Sequence, residues 1–187
     1  MSVQPEQRWD GAWAAGGALY LMTKPTPAAA RRLYGEAAGL KARHSLVGRP
    51  TDWDRLHVTL GALWPDADLR AVDEALSRLE VRPFQVVLDR IVSWKGGARR
   101  PLVATSDDGV LGLLRLHEAI TAALDGAGVE HGERAFTPHV TLLRDPATVE
   151  VTFIDPVSWT APEVQLVLSF VEARRHVVLR CWRLGGV

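Results

Sequence analysis

Two histidines in this chain occupy the same four-residue setting, His57-Val58-Thr59-Leu60 and His139-Val140-Thr141-Leu142. The copies lie 82 positions apart, and chance seldom repeats four residues within a chain of 187. Each copy brings an imidazole, whose unperturbed pKa of about 6.5 lets it give or take a proton near neutral pH. Each also brings a hydroxyl that can donate to an anionic oxygen. Opening a cyclic phosphodiester needs a base to deprotonate water and an acid to protonate the departing oxygen. Two imidazoles on opposite sides of the phosphorus supply both. Two threonine hydroxyls can steady the nonbridging oxygens. This scheme needs no metal or other cofactor, and the sequence has no His-x-x-x-His pair or carboxylate cluster to hold a metal.

The chemistry dictates what must carry it. Side chains alternate across a strand with period two. On a strand, His57 and Thr59 share one face while Val58 and Leu60 share the other, and His139 and Thr141 follow suit. The His and Thr Cα atoms would stand about 6–7 Å apart, a span one phosphate can cover. A lone His-x-Thr on a strand is more commonly a packing pair. Core packing can ask twice for Val and Leu, but it gives no reason to repeat His and Thr on the polar face.

The surrounding elements can be read from periodicity and punctuation. Residues 17–22 read as a buried strand. Thr26 and Pro27 open a helix over about 28–43, with Leu33, Ala37 and Leu40 on one face. Residues 56–64 form the first repeat strand. Asp66 or Asp68 caps a second helix over about 69–79. Residues 84–94 are β-rich, with Val86, Leu88, Arg90 and Val92 in one period-two set. They form a hairpin with 102–105 through Gly96-Gly97. Asp108 is expected to cap a third helix over about 109–124, ended by Gly126 and Gly128. Residues 138–143 carry the second repeat, and strands follow over 149–153, 164–171 and 176–184. The order indicates an α+β chain of two lobes, one repeat in each. It predicts two mostly antiparallel sheets around a central cleft, with helices packed outside.

The flanks of the second copy carry a resemblance. Phe136-Thr137-Pro138-His139-Val140-Thr141-Leu142-Leu143-Arg144 resembles the aromatic-x-Pro-His-x-Thr-Leu-x-Arg stretch of the two-histidine (2H) phosphoesterase superfamily. The nearest branch is the LigT-like 2′-5′ RNA ligase or RNA 2′,3′-cyclic phosphodiesterase family. The element order agrees from about Ala18 to Leu184. Many members begin with an Arg-x-Phe strand, where this chain has Ala18-Leu19-Tyr20. The resemblance implies a bilobal fold with both motifs lining a groove. It also implies opening of 2′,3′-cyclic phosphate ends to 2′-phosphates, with reversible 2′-5′ ligation in some members. Carried over by position, His57 is implied as the acid and His139 as the base, although the motif's symmetry permits the exchange. Thr59 and Thr141 would bind phosphate oxygens. Arg144 would add charge at the substrate, and Phe136 is placed to stack on it. The expected partner is RNA with a 2′,3′-cyclic phosphate end, or a cyclic nucleotide, bound by a monomer. Two rival readings are a binding module that holds phosphate ends without turnover, and an enzyme for another small phosphodiester.

Bulk composition limits the alternatives. Lys plus Arg equals Asp plus Glu at 22 each, and 47% of residues are hydrophobic. The chain is expected to fold as a single domain over 1–187, with about 1–15 a flexible extension. Zero formal charge argues against binding nucleic acid mainly by counterion release, but it leaves room for a local basic cleft. The lone Cys181 cannot form an internal disulfide and reads as a buried thiol in a strand. Neither a signal peptide nor an apolar run of about 18 residues is visible, so a soluble cytoplasmic protein without membrane partners is expected. Lys95, Arg99 and Arg100 flank the hairpin turn as solvated groups or RNA contacts. Trp53 and Trp64 flank the first repeat as packing groups or base platforms. His44, His117, His131 and His176 lack a repeated context and read as surface or local hydrogen-bonding residues.

Overall fold

A computed structural model of the protein describes residues 17–95, 97–132, 135–170 and 173–185. The expected extension at 1–15 lies outside them, as do Gly96 of the hairpin turn and Val171 at the expected end of a strand. The elements run β1 (Ala18–Thr23), α1 (Pro27–Arg43), β2 (Val58–Leu63), α2 (Leu69–Ser77), β3 (Phe84–Ser93), β4 (Arg100–Thr105), α3 (Leu111–Gly126), β5 (Val140–Asp145), β6 (Thr152–Ala161), β7 (Glu163–Phe170) and β8 (Arg175–Arg183). Two antiparallel sheets result, ordered β2-β1-β7-β8 and β5-β4-β3-β6. Each holds one copy of the repeat, so the fold is α+β as expected.

Local chemistry accounts for most boundaries. Thr26 Oγ1 accepts from Ala29 N at 3.4 Å, with Pro27 in the first turn of α1. Asp68 caps α2 by accepting from Arg70 N and Ala71 N. Asp108 does not cap α3. It opens a 3-10 turn, Asp108–Val110, and Val110 takes the N-cap position without a side-chain bond. Here Gly109 passes so close over β3 that an added Cβ would fall 2.2 Å from the Val87 carbonyl oxygen. The close passage tightens the chain before the α-helix can begin.

A bulge changes one sheet face. The pairing of β3 with β6 slips between Leu88 and Arg90. The buried set becomes Val86, Leu88 and Ile91, and Arg90 and Val92 stay partly exposed. One inserted residue flips the alternation, so the core receives an isoleucine in place of an arginine. Pro156 on β6 lies opposite the slip, between Phe153 paired with Arg90 and Val157 paired with Leu88. A residue with no N–H is tolerated at a bulge on an edge strand. That is why β6 continues to Ala161, well past the end expected at Phe153. On edge strand β8, Trp182 turns inward and Cys181 outward, so the cysteine is exposed rather than buried.

Strands β2 and β5 are also edge strands, and their outer backbone groups need partners. Leu60 O accepts from His117 Nδ1 of α3 at 2.7 Å. Leu142 O accepts from Thr51 N, in the loop after α1, also at 2.7 Å. Leu60 and Leu142 are the same position of the two repeats. Farther along β2, Ala62 O accepts from Gly132 N at 2.8 Å. Each half of the chain therefore closes the open edge of the other. The helices do likewise: α1 packs on β5 and β6, and α3 reaches β2 as well as β3.

The loop after α1 is seated by one buried carboxylate. Asp145, 3% exposed, accepts from Gly48 N at 2.5 Å and from Ala147 N at 2.9 Å. Burial alone would raise its pKa. Backbone N–H donors at Gly48, Ala147 and Val47, with Lys41 nearby, outweigh this and hold it below the usual carboxylate range. At Gly48 any Cβ would sit 2.3 Å from the Arg144 carbonyl oxygen. Gly48→Ala is therefore expected to cost about 1–3 kcal/mol of stability, measured by denaturant unfolding. An unchanged midpoint would mean that this loop does not seat on β5.

Candidate active site

Each repeat histidine stands one residue before its strand, since β2 begins at Val58 and β5 at Val140. The expected alternation survives that step. Val58, Leu60, Val140 and Leu142 are buried, whereas His57, Thr59, His139 and Thr141 are partly exposed. Both rings are fixed in the same way. His57 Nδ1 lies 2.7 Å from Arg55 O, and His139 Nδ1 lies 2.7 Å from Thr137 O. A carbonyl oxygen only accepts, so Nδ1 must carry the proton in each bond. In the neutral ring that leaves the Nε2 lone pair for chemistry.

The rings lie near enough to one another that His139 lowers the pKa of His57. For His57, burial is the main cause of the lowering. The bond to the Arg55 carbonyl opposes it, and the charges of Lys24 and Arg55 add to it. For His139, burial again leads, the Thr137 carbonyl opposes, and Arg144 adds. Both imidazoles are consequently neutral at pH 7.

Curvature brings in two further rings. Ser169 pairs with both Ala18 and His176, which puts His176 at one end of its sheet. His57 lies at the other end, beyond the Thr23–Val58 pair. Their ring centroids are nevertheless 5.1 Å apart, edge to face at 73°. In the second sheet Trp94 follows β3 and donates its N–H to Pro101 O, whereas His139 precedes the residue paired with Ala104. Those centroids are 4.2 Å apart at 53°. With strands about 4.8 Å apart and rising about 3.3 Å per residue, a flat sheet would hold both ring pairs apart. Strong coiling of each twisted sheet brings its distant corners together.

Thr59 stands opposite Met22, and Thr141 opposite Val103. Among the described residues neither threonine hydroxyl has a hydrogen-bond partner. Arg144 is exposed near the end of β5, and its charge reaches His139. Phe136 is committed elsewhere, stacked on His117 at 4.4 Å and 24°. It backs the histidine that closes the edge at Leu60, and His117 is itself buried rather than on the surface. Arg99 and Arg100 donate to the carbonyls of Arg144 and Pro146 and so brace the end of β5. Trp53 lies under the Arg31 guanidinium at 4.3 Å. Trp64 lines a separate pocket with Asp125, Val129 and His131. Among the described residues no group of three His, Cys, Asp or Glu is placed to hold a metal, and no helix is long and apolar enough to cross a membrane.

Sequence reasoning missed His176, Trp94, Lys24 and Arg55. No local signal marks the first three, because the curvature and strand pairing that place them are long-range. Arg55 could have been found by asking which carbonyl lies two residues before each histidine. His176 offers a direct check. Burial, then the charges of His57, Arg55 and Lys24, push its pKa down to about 4, against a smaller opposing pull from Asp54. A lowered folded-state pKa means that the unfolded chain binds more protons. The stability linked to His176 is thus intact above pH 6.5 and is lost as pH falls towards 4. His176→Phe keeps a ring against His57 and should flatten the fall in denaturant midpoint across that window. An equally steep fall in the variant would contradict this placement.

The geometry has relatives. The family model described as the 2′-5′ RNA ligase superfamily matches residues 25–168. The RNA 2′,3′-cyclic phosphodiesterase of Escherichia coli (strain K12) is 29% identical over 151 residues, covering 74% of this chain and 81% of that protein. Among solved structures, E. coli LigT complexed with 3′-AMP superposes with a TM-score of 0.70 at 24% identity, over 90% of this chain and 98% of that one. TT0787 of Thermus thermophilus gives 0.69 at 24%, with the same coverage. At these identities the likeness to the solved structures is one of fold.

Proposed function

We propose a function from one premise: the chain belongs to the 2′-5′ RNA ligase superfamily. It is a phosphodiesterase that opens 2′,3′-cyclic phosphates, on RNA ends or nucleotides, to 2′-phosphates by two-histidine acid–base catalysis. The observation that carries this reading is the twin clamp, in which two neighbouring imidazoles are each tied through Nδ1 to the carbonyl two residues upstream. The name of the E. coli relative agrees with the chemistry.

The mechanism follows from the free Nε2 atoms. Neutral His139 accepts a proton through Nε2 from a water, whose oxygen forms the new bond to phosphorus. The bond from phosphorus to the 3′-oxygen breaks in line with that attack. Protonated His57 delivers the Nε2 proton to the departing 3′-oxygen, leaving a 2′-phosphate. Each imidazole ends in the state in which the other began, and solvent resets the pair. Thr59 and Thr141 donate to the nonbridging oxygens, where charge gathers, and Arg144 adds positive charge on the His139 side. A ribose 5′-hydroxyl in place of water would give 2′-5′ ligation by the same transfers. An arriving phosphate also raises the lowered histidine pKa values, which favours protonation of the acid.

The test is hydrolysis of a 2′,3′-cyclic mononucleotide in EDTA, with the product's phosphate position identified. His57→Ala and His139→Ala should each lower kcat/KM by about a hundred- to ten-thousand-fold while keeping the wild-type circular dichroism spectrum. Full activity in either variant sinks the mechanism. Binding of the cyclic nucleotide without consumption by the wild type would point instead to a module that only holds phosphate ends.

A further inference from the structure

The clamp spends no side chain of its own, but it needs irregular backbone just before each histidine. Irregular backbone has to be held by something other than the ladder. The two sheets meet that need at the same place. In the first sheet, the ladder between β1 and β2 ends at the pair Thr23–Val58. One step further in the same register stand Lys24 and His57. In the second sheet, the ladder between β4 and β5 ends at Ala104–Val140, and one step further stand Thr105 and His139. β1 and β4 are both interior strands.

Lys24 and Thr105 each reach across to a carbonyl of the irregular segment. Thr105 Oγ1 donates to Pro138 O at 2.9 Å. Ser106 O, at 3.5 Å, is a more distant acceptor, and a hydroxyl has one proton to give, so the shorter bond takes it. Lys24 Nζ donates to Asp54 O. In each case the carbonyl held is next in the chain to the one that clamps the ring. Pro138 follows Thr137, and Asp54 precedes Arg55.

Rigid peptide planes turn this hold into control of the ring. Successive planes are joined by only two soft dihedrals per residue. Pro138 removes one of them, because its ring locks φ. With its carbonyl pinned by Thr105, the peptide that carries the His139 nitrogen is fixed relative to β4. Thr105 is itself paired with Arg90 of β3, so the hold is on the middle of a sheet rather than on another loop. Before His57 a 3-10 turn, Trp53–Arg55, takes the place of the proline, with Leu56 N donating to Trp53 O at 3.4 Å.

We infer that Thr105 and Lys24 are positioning residues for the two-histidine reaction, each pinning the backbone that keeps one imidazole in its Nδ1–H tautomer with Nε2 free. This rests on the phosphodiesterase reading for what the free Nε2 atoms do, but the tautomer itself is read without turnover. Lys24 also brings charge towards His57, so a loss of rate in a Lys24 variant does not by itself establish its role.

The experiment is nitrogen-15 NMR of the imidazoles at about pH 8, where the lowered pKa values leave both rings neutral. Thr105→Val keeps the shape of the side chain and removes the donor. His139 should then populate the Nε2–H tautomer while His57 keeps its wild-type signals. Lys24→Met should do the reverse, moving His57 and sparing His139. Thr105→Ser keeps the hydroxyl and should restore the wild-type His139 tautomer. In hydrolysis of adenosine 2′,3′-cyclic phosphate, Thr105→Val should lower kcat about fivefold with KM within about twofold, and Thr105→Ser should recover most of the loss. A wild-type His139 tautomer in Thr105→Val overturns the inference. So do equal shifts of both rings in either variant, because general loosening would then explain them. If Thr105→Val fails to fold, Lys24→Met carries the test, and an unchanged His57 tautomer there has the same force. Absence of turnover by the wild type would sink the phosphodiesterase reading while leaving the tautomers to decide on Thr105 and Lys24.

Discussion

The two histidine strands are edge strands, and the site depends on how their open edges are closed. Left bare, each edge would present unpaired carbonyls to solvent or to another chain. Each is instead capped from the other half, Leu60 O by His117 and Leu142 O by Thr51. These two bonds fall at the fourth position of each repeat, three residues beyond the histidine. Phe136 and Gly48 serve this seam, one stacked on His117 and the other pressed against β5. The family-like residues around the second histidine therefore do two jobs. Pro138 and Phe136 pack the frame, and His139, Thr141 and Arg144 keep at least part of their surface exposed.

Inside that frame a second constraint sets the chemistry. An unclamped imidazole could present either nitrogen. The Nδ1 bond to a carbonyl two residues upstream removes that freedom at no cost in extra side chains. It needs only an irregular residue before the strand, where the carbonyl is not already spent in a ladder. This explains why both histidines sit just outside β2 and β5 rather than within them. Burial then lowers both pKa values and favours the neutral rings. Duplicating the clamp makes the two nitrogens alike. Their surroundings make them different, with cations and His176 near His57, and Trp94 and Arg144 near His139.

The legible parts of the chain were those governed by local rules. Period-two alternation placed His57, Thr59, His139 and Thr141 on one face, and the caps at Thr26 and Asp68 fixed two helix starts. What escaped was governed by contacts distant in sequence. The bulge at Leu88 exchanged Arg90 for Ile91 because β6 slips there, and nothing in β3 alone announces it. Asp108 has the right side chain for a cap, but the crowding of Gly109 on β3 overrides it. His176 read as one more surface histidine because the coiling that carries it across the sheet is a property of four strands together. Arg55 was passed over because its carbonyl, rather than its side chain, holds His57 Nδ1.

Nitrogen-15 NMR of the imidazoles, recorded without ligand and with adenosine 2′-monophosphate, tests the central claim most directly. The account predicts that at pH 7 the free protein shows His57 and His139 both neutral with the proton on Nδ1. On adding the ligand, both Nε2 signals should shift and one ring should become doubly protonated. A free-state ring carrying its proton on Nε2, or a ring that ignores the bound phosphate, would contradict the twin clamp as the source of the chemistry.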